Sequence, residues 1–172
     1  MPARPRPHQS CHCSKQPDFF YNFQWQITTV QGLNHNFVPA VNYAADLSAN
    51  KPLRREPLVA ADSAFARVNK LAPEYEGAYL YRARVNKQLD NLDNKDALKG
   101  LMVPFYEQYV ELVTVKKPDQ AVNSKAGLIE AYNNLGSYAA LTDVAKAKEY
   151  FNKTLVLDPT NAYASQSVKA LK

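Results

Sequence analysis

Beyond Pro57 the apolar residues recur every three to four positions, the period of a helix with one buried face. Leu58, Ala61, Phe65, Val68 and Leu71 form one such stripe. Tyr79, Ala83 and Val85 begin a second, which stops in the turn-rich DNLDNKD. Leu101, Phe105, Tyr109 and Leu112 predict a third helix, ending before KKPDQ. Leu128, Ala131, Leu135 and Tyr138 predict a fourth, with Ser124 as its N-cap. Val144, Ala147, Phe151 and Leu155 predict a fifth that runs to Asp158-Pro159. A short sixth piece over 161–171 follows Thr160, a second expected cap. Short connections between amphipathic helices predict an all-α series of antiparallel hairpins.

Two of these helices carry the same phrase. ADSAFARVNKLAP (61–73) and AKEYFNKTLVLDP (147–159) both open on Ala, place Phe four residues later, Leu two residues before the end, and close on Pro. A small residue lets one helix approach its neighbour closely, an aromatic one turn later fills the gap, and the proline ends the helix. YNNLGSYAAL supplies the complementary half, with Tyr132 before a large-small pair, Leu135-Gly136.

The pattern resembles tetratricopeptide repeats, units of about 34 residues built from two antiparallel helices, A and B. The resemblance covers roughly residues 57–172. It implies a short right-handed solenoid of about two to two-and-a-half degenerate repeats. The positions expected to carry repeat packing are Ala61, Phe65, Pro73, Tyr79, Ala83, Phe105, Tyr106, Tyr132, Leu135, Gly136, Ala147, Phe151 and Pro159. Some positions depart from the family pattern. Met102 stands where a small residue is expected, Pro104 lies just inside its helix, and Thr154 replaces another small residue. DNLDNKDALKG and VKKPDQAVNS lengthen the middle repeat, and the turn LTDVAK is about one residue short.

Function enters through the same resemblance, which implies a non-enzymatic scaffold that grips a partner peptide or helix on its concave helix-A face. The outward helix-A positions are Leu80, Arg84, Lys87 and Gln88, then Glu130, Asn133 and Ser137. Leu80 and Arg84 occupy two positions that the family's carboxylate clamp reserves for Lys and Asn, so that specialised activity is not expected. The partner, an unknown protein or peptide, is not named by the sequence. A second reading is a weak polyanion or nucleic-acid binder using Arg82, Arg84, Lys87 and the basic tail.

Composition changes this picture only at the N-terminal side. Seven of the eleven Pro lie at or before Pro57, and all three His and both Cys precede Asn36. The sequence therefore divides into 1–56, expected to be of low order, and 57–172, the helical domain. No helix A with small-large pairing is evident upstream of 61–73. Either the segment is a tail, or its start is mis-called. An uncovered first repeat also offers a route to self-association.

HQSCHC (8–13) holds soft metal ligands, but Cys-x-Cys and an adjacent His-Cys strain a tetrahedral site, so no metal is expected. FFYNFQWQITTV alternates as a half-buried strand would, yet one strand cannot stand alone. The net charge of +5 is not concentrated in any long basic block, which argues against a nucleic-acid groove. No His follows His35 to serve as a base, and no Gly-rich phosphate loop exists. Catalytic residues and cofactors are accordingly not expected. No apolar run is long enough to span a bilayer, and no secretory signal is evident. A cytoplasmic location is the default expectation unless the start is incomplete.

Overall fold

Helix α1, Arg55–Leu71, carries Glu56 in its first turn and Lys70 in its last, each favourable to the helix dipole. The computed structural model describes residues 55–94 and 97–171. The five helices after α1 are α2, Glu76–Asp93; α3, Val103–Glu111; α4, Lys125–Ala139; α5, Val144–Leu157; and α6, Ala162–Ala170. There is no strand among the described residues. HQSCHC and FFYNFQWQITTV lie outside them.

Each helix packs on the next in the chain, most extensively α1 on α2 and α4 on α5. The repeated phrase explains these two contacts. Ala61 and Ala147 are wholly buried. Phe65 stacks on Tyr81 with ring centroids 5.1 Å apart. Phe151 lies against Gly136, where an added Cβ would meet ring atoms at 3.0 Å. Gly136 is thus the small partner that admits α5. In the middle pair the inward aromatic is Tyr106, while Phe105 is half-buried beneath the Arg82 guanidinium, 4.2 Å from the ring centroid. Ala83, Met102, Tyr106, Leu128 and Leu135 form one core among α2, α3 and α4. A second core gathers Ala139, Ala147, Phe151 and Ala164 where α6 closes on α5.

The departures from the repeat pattern each have a local account. Met102 is buried in the first core. Pro104 sits in the first turn of α3, where a missing N–H costs nothing. Thr154 is fully buried, and its hydroxyl donates to Asn133 Oδ1 at 3.0 Å, so the larger residue is polar-matched rather than misfitted. The lengthened connection after α3 takes the form of a π turn, Leu112–Lys116. It brings Lys117 Nζ to Glu74 O at 2.6 Å and Glu76 Oε2 at 3.2 Å, fastening the end of α3 to the turn between α1 and α2.

Several details differ from the sequence expectation. Helix α2 runs through Asp93, into the stretch expected to stop it. Ser124 stands at the N-cap of α4 but makes no side-chain cap bond. The cap of α6 is Asn161, whose side chain accepts from the Ala164 N–H at 3.0 Å. Thr160 instead bonds Asp158. Asp143 caps α5 through the Lys146 N–H. Leu71, Leu101 and Val144, placed on buried stripes by periodicity, are exposed. They lie at the last residue of α1, in the turn before α3 and at the first residue of α5, at the ends of elements rather than along a packed face.

Candidate functional site

The turn that carries the chain from α2 to α3 is built on one side chain. Asp90 is 4% exposed, and its carboxylate accepts from the Lys99, Gly100 and Leu101 backbone N–H groups at 3.0, 2.7 and 3.2 Å. The Asn94 amide donates to it as well, at 2.9 Å. Burial alone would raise the Asp90 pKa, but these four donors outweigh it and hold the carboxyl below its usual value. Gly100 has φ 72, and an added Cβ would lie 2.4 Å from Tyr138 Cζ, so glycine is required both by conformation and by the tyrosine packed over it.

This turn forms one wall of a groove of about 410 Å³. Lys87, Asp90 and Asn91 of α2 line it together with Leu98 and Met102. Across it stand Asn133, Asn134, Ser137 and Tyr138 of α4, with Leu141 just beyond. Tyr163 of α6 closes the far end, sharing a 2.7 Å hydrogen bond between its hydroxyl and that of Ser137. The same ring meets Phe151 edge-on at 5.9 Å, so the last helix is held by packing and by the groove's own polar rim.

Next to the groove a polar network ties α2 to α4. Arg84 donates in a fork to Glu130, Nε to Oε1 at 2.7 Å and Nη2 to Oε2 at 2.5 Å. Tyr106 OH donates to the same Oε1 at 3.0 Å. Asn134 Nδ2 donates to Tyr106 OH and to the Glu130 carbonyl, while its Oδ1 accepts from Lys87 Nζ at 2.6 Å. Burial opposes the charge on Arg84, but the Glu130 contacts outweigh it and leave the guanidinium more basic than an ordinary arginine. Burial likewise holds the nearby Tyr81 phenol neutral well above its usual range.

The seven outward positions expected from the sequence therefore divide. Lys87, Asn133 and Ser137 line the groove. Arg84 and Glu130 bind each other beside it, and Leu80 packs against the first core. Gln88 is half-buried on α2, outside the lining. The sequence does not single out Asp90, Asn91, Leu98, Asn134, Leu141 or Tyr163. The helix period reaches Asn91 and Asn134 only as further polar positions, and nothing local predicts that Tyr163 bends back to Ser137.

The chain matches no family model and no curated protein. Among solved structures it is similar to the C-terminal part of a TPR repeat-containing protein from Cytophaga hutchinsonii, with 28% identity and a TM-score of 0.60. The similarity covers 88% of this chain and 57% of that one, so the chain spans little more than half the neighbour's length. The fold is tetratricopeptide-like. Within this tetratricopeptide-like array, no group of three or more His, Cys, Asp or Glu among the described residues is placed to hold a metal ion. Nor is any helix among them long and apolar enough to cross a membrane.

Proposed function

We propose that the chain is a protein-interaction scaffold that holds a segment of a partner protein in the groove between α2, α4 and α6. Tetratricopeptide-like folds are typically interaction modules rather than catalysts, and the neighbour from Cytophaga hutchinsonii is a TPR repeat-containing protein. The observation that carries the reading is the groove itself. It is lined by α2 and α4, which this reading takes as the A helices of their repeats, and it combines exposed apolar surface with amide, hydroxyl and ammonium donors. In this reading α2–α3 and α4–α5 are two repeats, α1 is the second helix of an earlier one, and α6 is a cap.

The polyanion reading draws less support. Arg82, one of the cations it needs, is forked onto Asp62 at 2.9 and 3.2 Å, and Arg84 is forked onto Glu130. Cations neutralised in this way contribute little to phosphate binding and release few counterions.

The test is selection of random displayed peptides on the full chain, followed by binding assays against two groove variants. Ser137→Trp fills the groove, and Leu141→Asp places charge on its apolar rim. Selected peptides should bind saturably and lose at least tenfold in affinity to both variants. No selected peptide, or peptides indifferent to both variants, would overturn the reading. A steep loss of binding to mixed-sequence oligonucleotides with salt, under the same variants, would favour the polyanion alternative.

A further inference from the structure

The groove's charges are unevenly satisfied, and this asymmetry points to the chemistry of its occupant. Asp90 already accepts four hydrogen bonds, three of them from the backbone. Glu130, on the same face, is covered by the Arg84 fork and the Tyr106 hydroxyl. Neither carboxylate has much left to offer a cationic ligand. Lys87 is in the opposite position. Its ammonium carries three donors, and it makes no ion pair among the described residues. The acceptor it touches is a neutral amide oxygen, Asn134 Oδ1, at 2.6 Å.

Asn134 cannot turn away from that contact cheaply, because its Nδ2 is committed to Tyr106 OH and to the Glu130 carbonyl. Lys87 is therefore held at the groove wall with donors to spare. Asn91 is exposed beside it, one helical turn along α2. Apolar surface lies within the same groove: Leu98 and Leu141 are 38% and 62% exposed, and Tyr138 is half-buried.

We propose that the groove selects an extended partner segment carrying an internal acidic side chain next to an apolar one. The carboxylate pairs with Lys87, and the apolar side chain covers Leu98, Tyr138 and Leu141. This rests on the reading of the groove as a peptide site, and it names the class of peptide. A charge-assisted bond to an ammonium held in place is the strong element of such a contact, and the apolar neighbour supplies the burial that excludes water from it.

The experiment uses peptides from the selection above, synthesised with both termini blocked, and the full chain. Selected sequences should be enriched in Asp or Glu within two residues of Leu, Ile, Phe or Met. Replacing the acidic residue by its amide should weaken binding about tenfold, and Lys87→Met should do the same. In the Lys87→Met variant the acid and the amide should then bind alike. Lys153→Met, on α5 outside the groove, should leave affinity unchanged; melts of all variants check folding. Groove-dependent peptides with no acidic preference would overturn this proposal and leave the scaffold reading standing. Binding restricted to peptides with a free C-terminal carboxylate would also overturn it, since the site would then read a chain end. If no peptide depends on the groove, both readings fall together.

Discussion

Replacing Asp90 by Ala should strongly destabilise the turn that walls the groove. The loss can be worked from its four hydrogen bonds. The contact from Gly100 N–H is buried, and a bond to an ionised acceptor there is worth about 1.5–3 kcal/mol. The Lys99 and Leu101 bonds are partly buried, so water can replace the lost acceptor and each should cost about 0.5–1 kcal/mol. Asn94 lies at the end of α2 and can turn to solvent. The expected destabilisation is thus about 2.5–5 kcal/mol, a large share of a typical domain's stability. It should lower the melting temperature by roughly 10–20 °C. Urea unfolding followed by helical circular dichroism measures it.

The pH dependence tests the cause. The folded-state pKa of Asp90 is held below the unfolded value of about 3.9. Its contribution is therefore fully present above that value and is lost as pH falls through the folded-state pKa. The gap between wild type and Asp90→Ala should be constant from pH 7 to about pH 5 and close progressively below about pH 4. A gap under about 1 kcal/mol at pH 7, or one unchanged down to pH 2, would refute the assignment of Asp90 as an ionised anchor.

Two further predictions concern the array rather than the turn. Arg84→Met should cost more than the double variant Arg84→Met/Glu130→Gln, because the single change strands a carboxylate that is only 29% exposed; a double-mutant cycle should give a coupling of about 1–3 kcal/mol. A coupling near zero would mean the fork does not hold α2 to α4. Ala147→Leu should overpack the α4–α5 contact and cost about 1–3 kcal/mol in a thermal melt, since the site is fully buried; an unchanged melt would count against the close approach.

How much of this was legible in the sequence depends on the distance over which each feature is encoded. Ala147, Phe151 and the Leu135-Gly136 pair could be read because helix packing follows a short-range rule: small opposite large, one turn apart. Helix ends were read less well. Ser124 and Thr160 have cap chemistry, yet Asn161 won at α6 because its side chain reaches the Ala164 N–H from the residue adjoining the helix. Only part of the groove lining is legible in the sequence. Lys87, Asn133 and Ser137 line the groove, and the sequence offers them only through the tetratricopeptide resemblance, as outward helix-A positions. Arg84 and Glu130 are two more of those outward positions, but their pairing joins residues far apart in the chain and no periodicity records it. Asp90 was hidden in a stretch that reads only as a turn signal. Its role depends on three successive N–H groups of the following turn converging on one carboxylate, a property of folded backbone.

The bond between Ser137 and Tyr163 makes one wall of the groove belong to the last described helix. That helix has nine residues and fully buries one of them, Ala164, so it should open locally at far lower free energy than the array unfolds. Its amide protons should exchange with solvent deuterium early, and each such opening would remove Tyr163 from the groove. Occupancy and fraying are then thermodynamically linked. A bound segment that rests on Tyr163 would slow exchange throughout α6, including at amides it never touches.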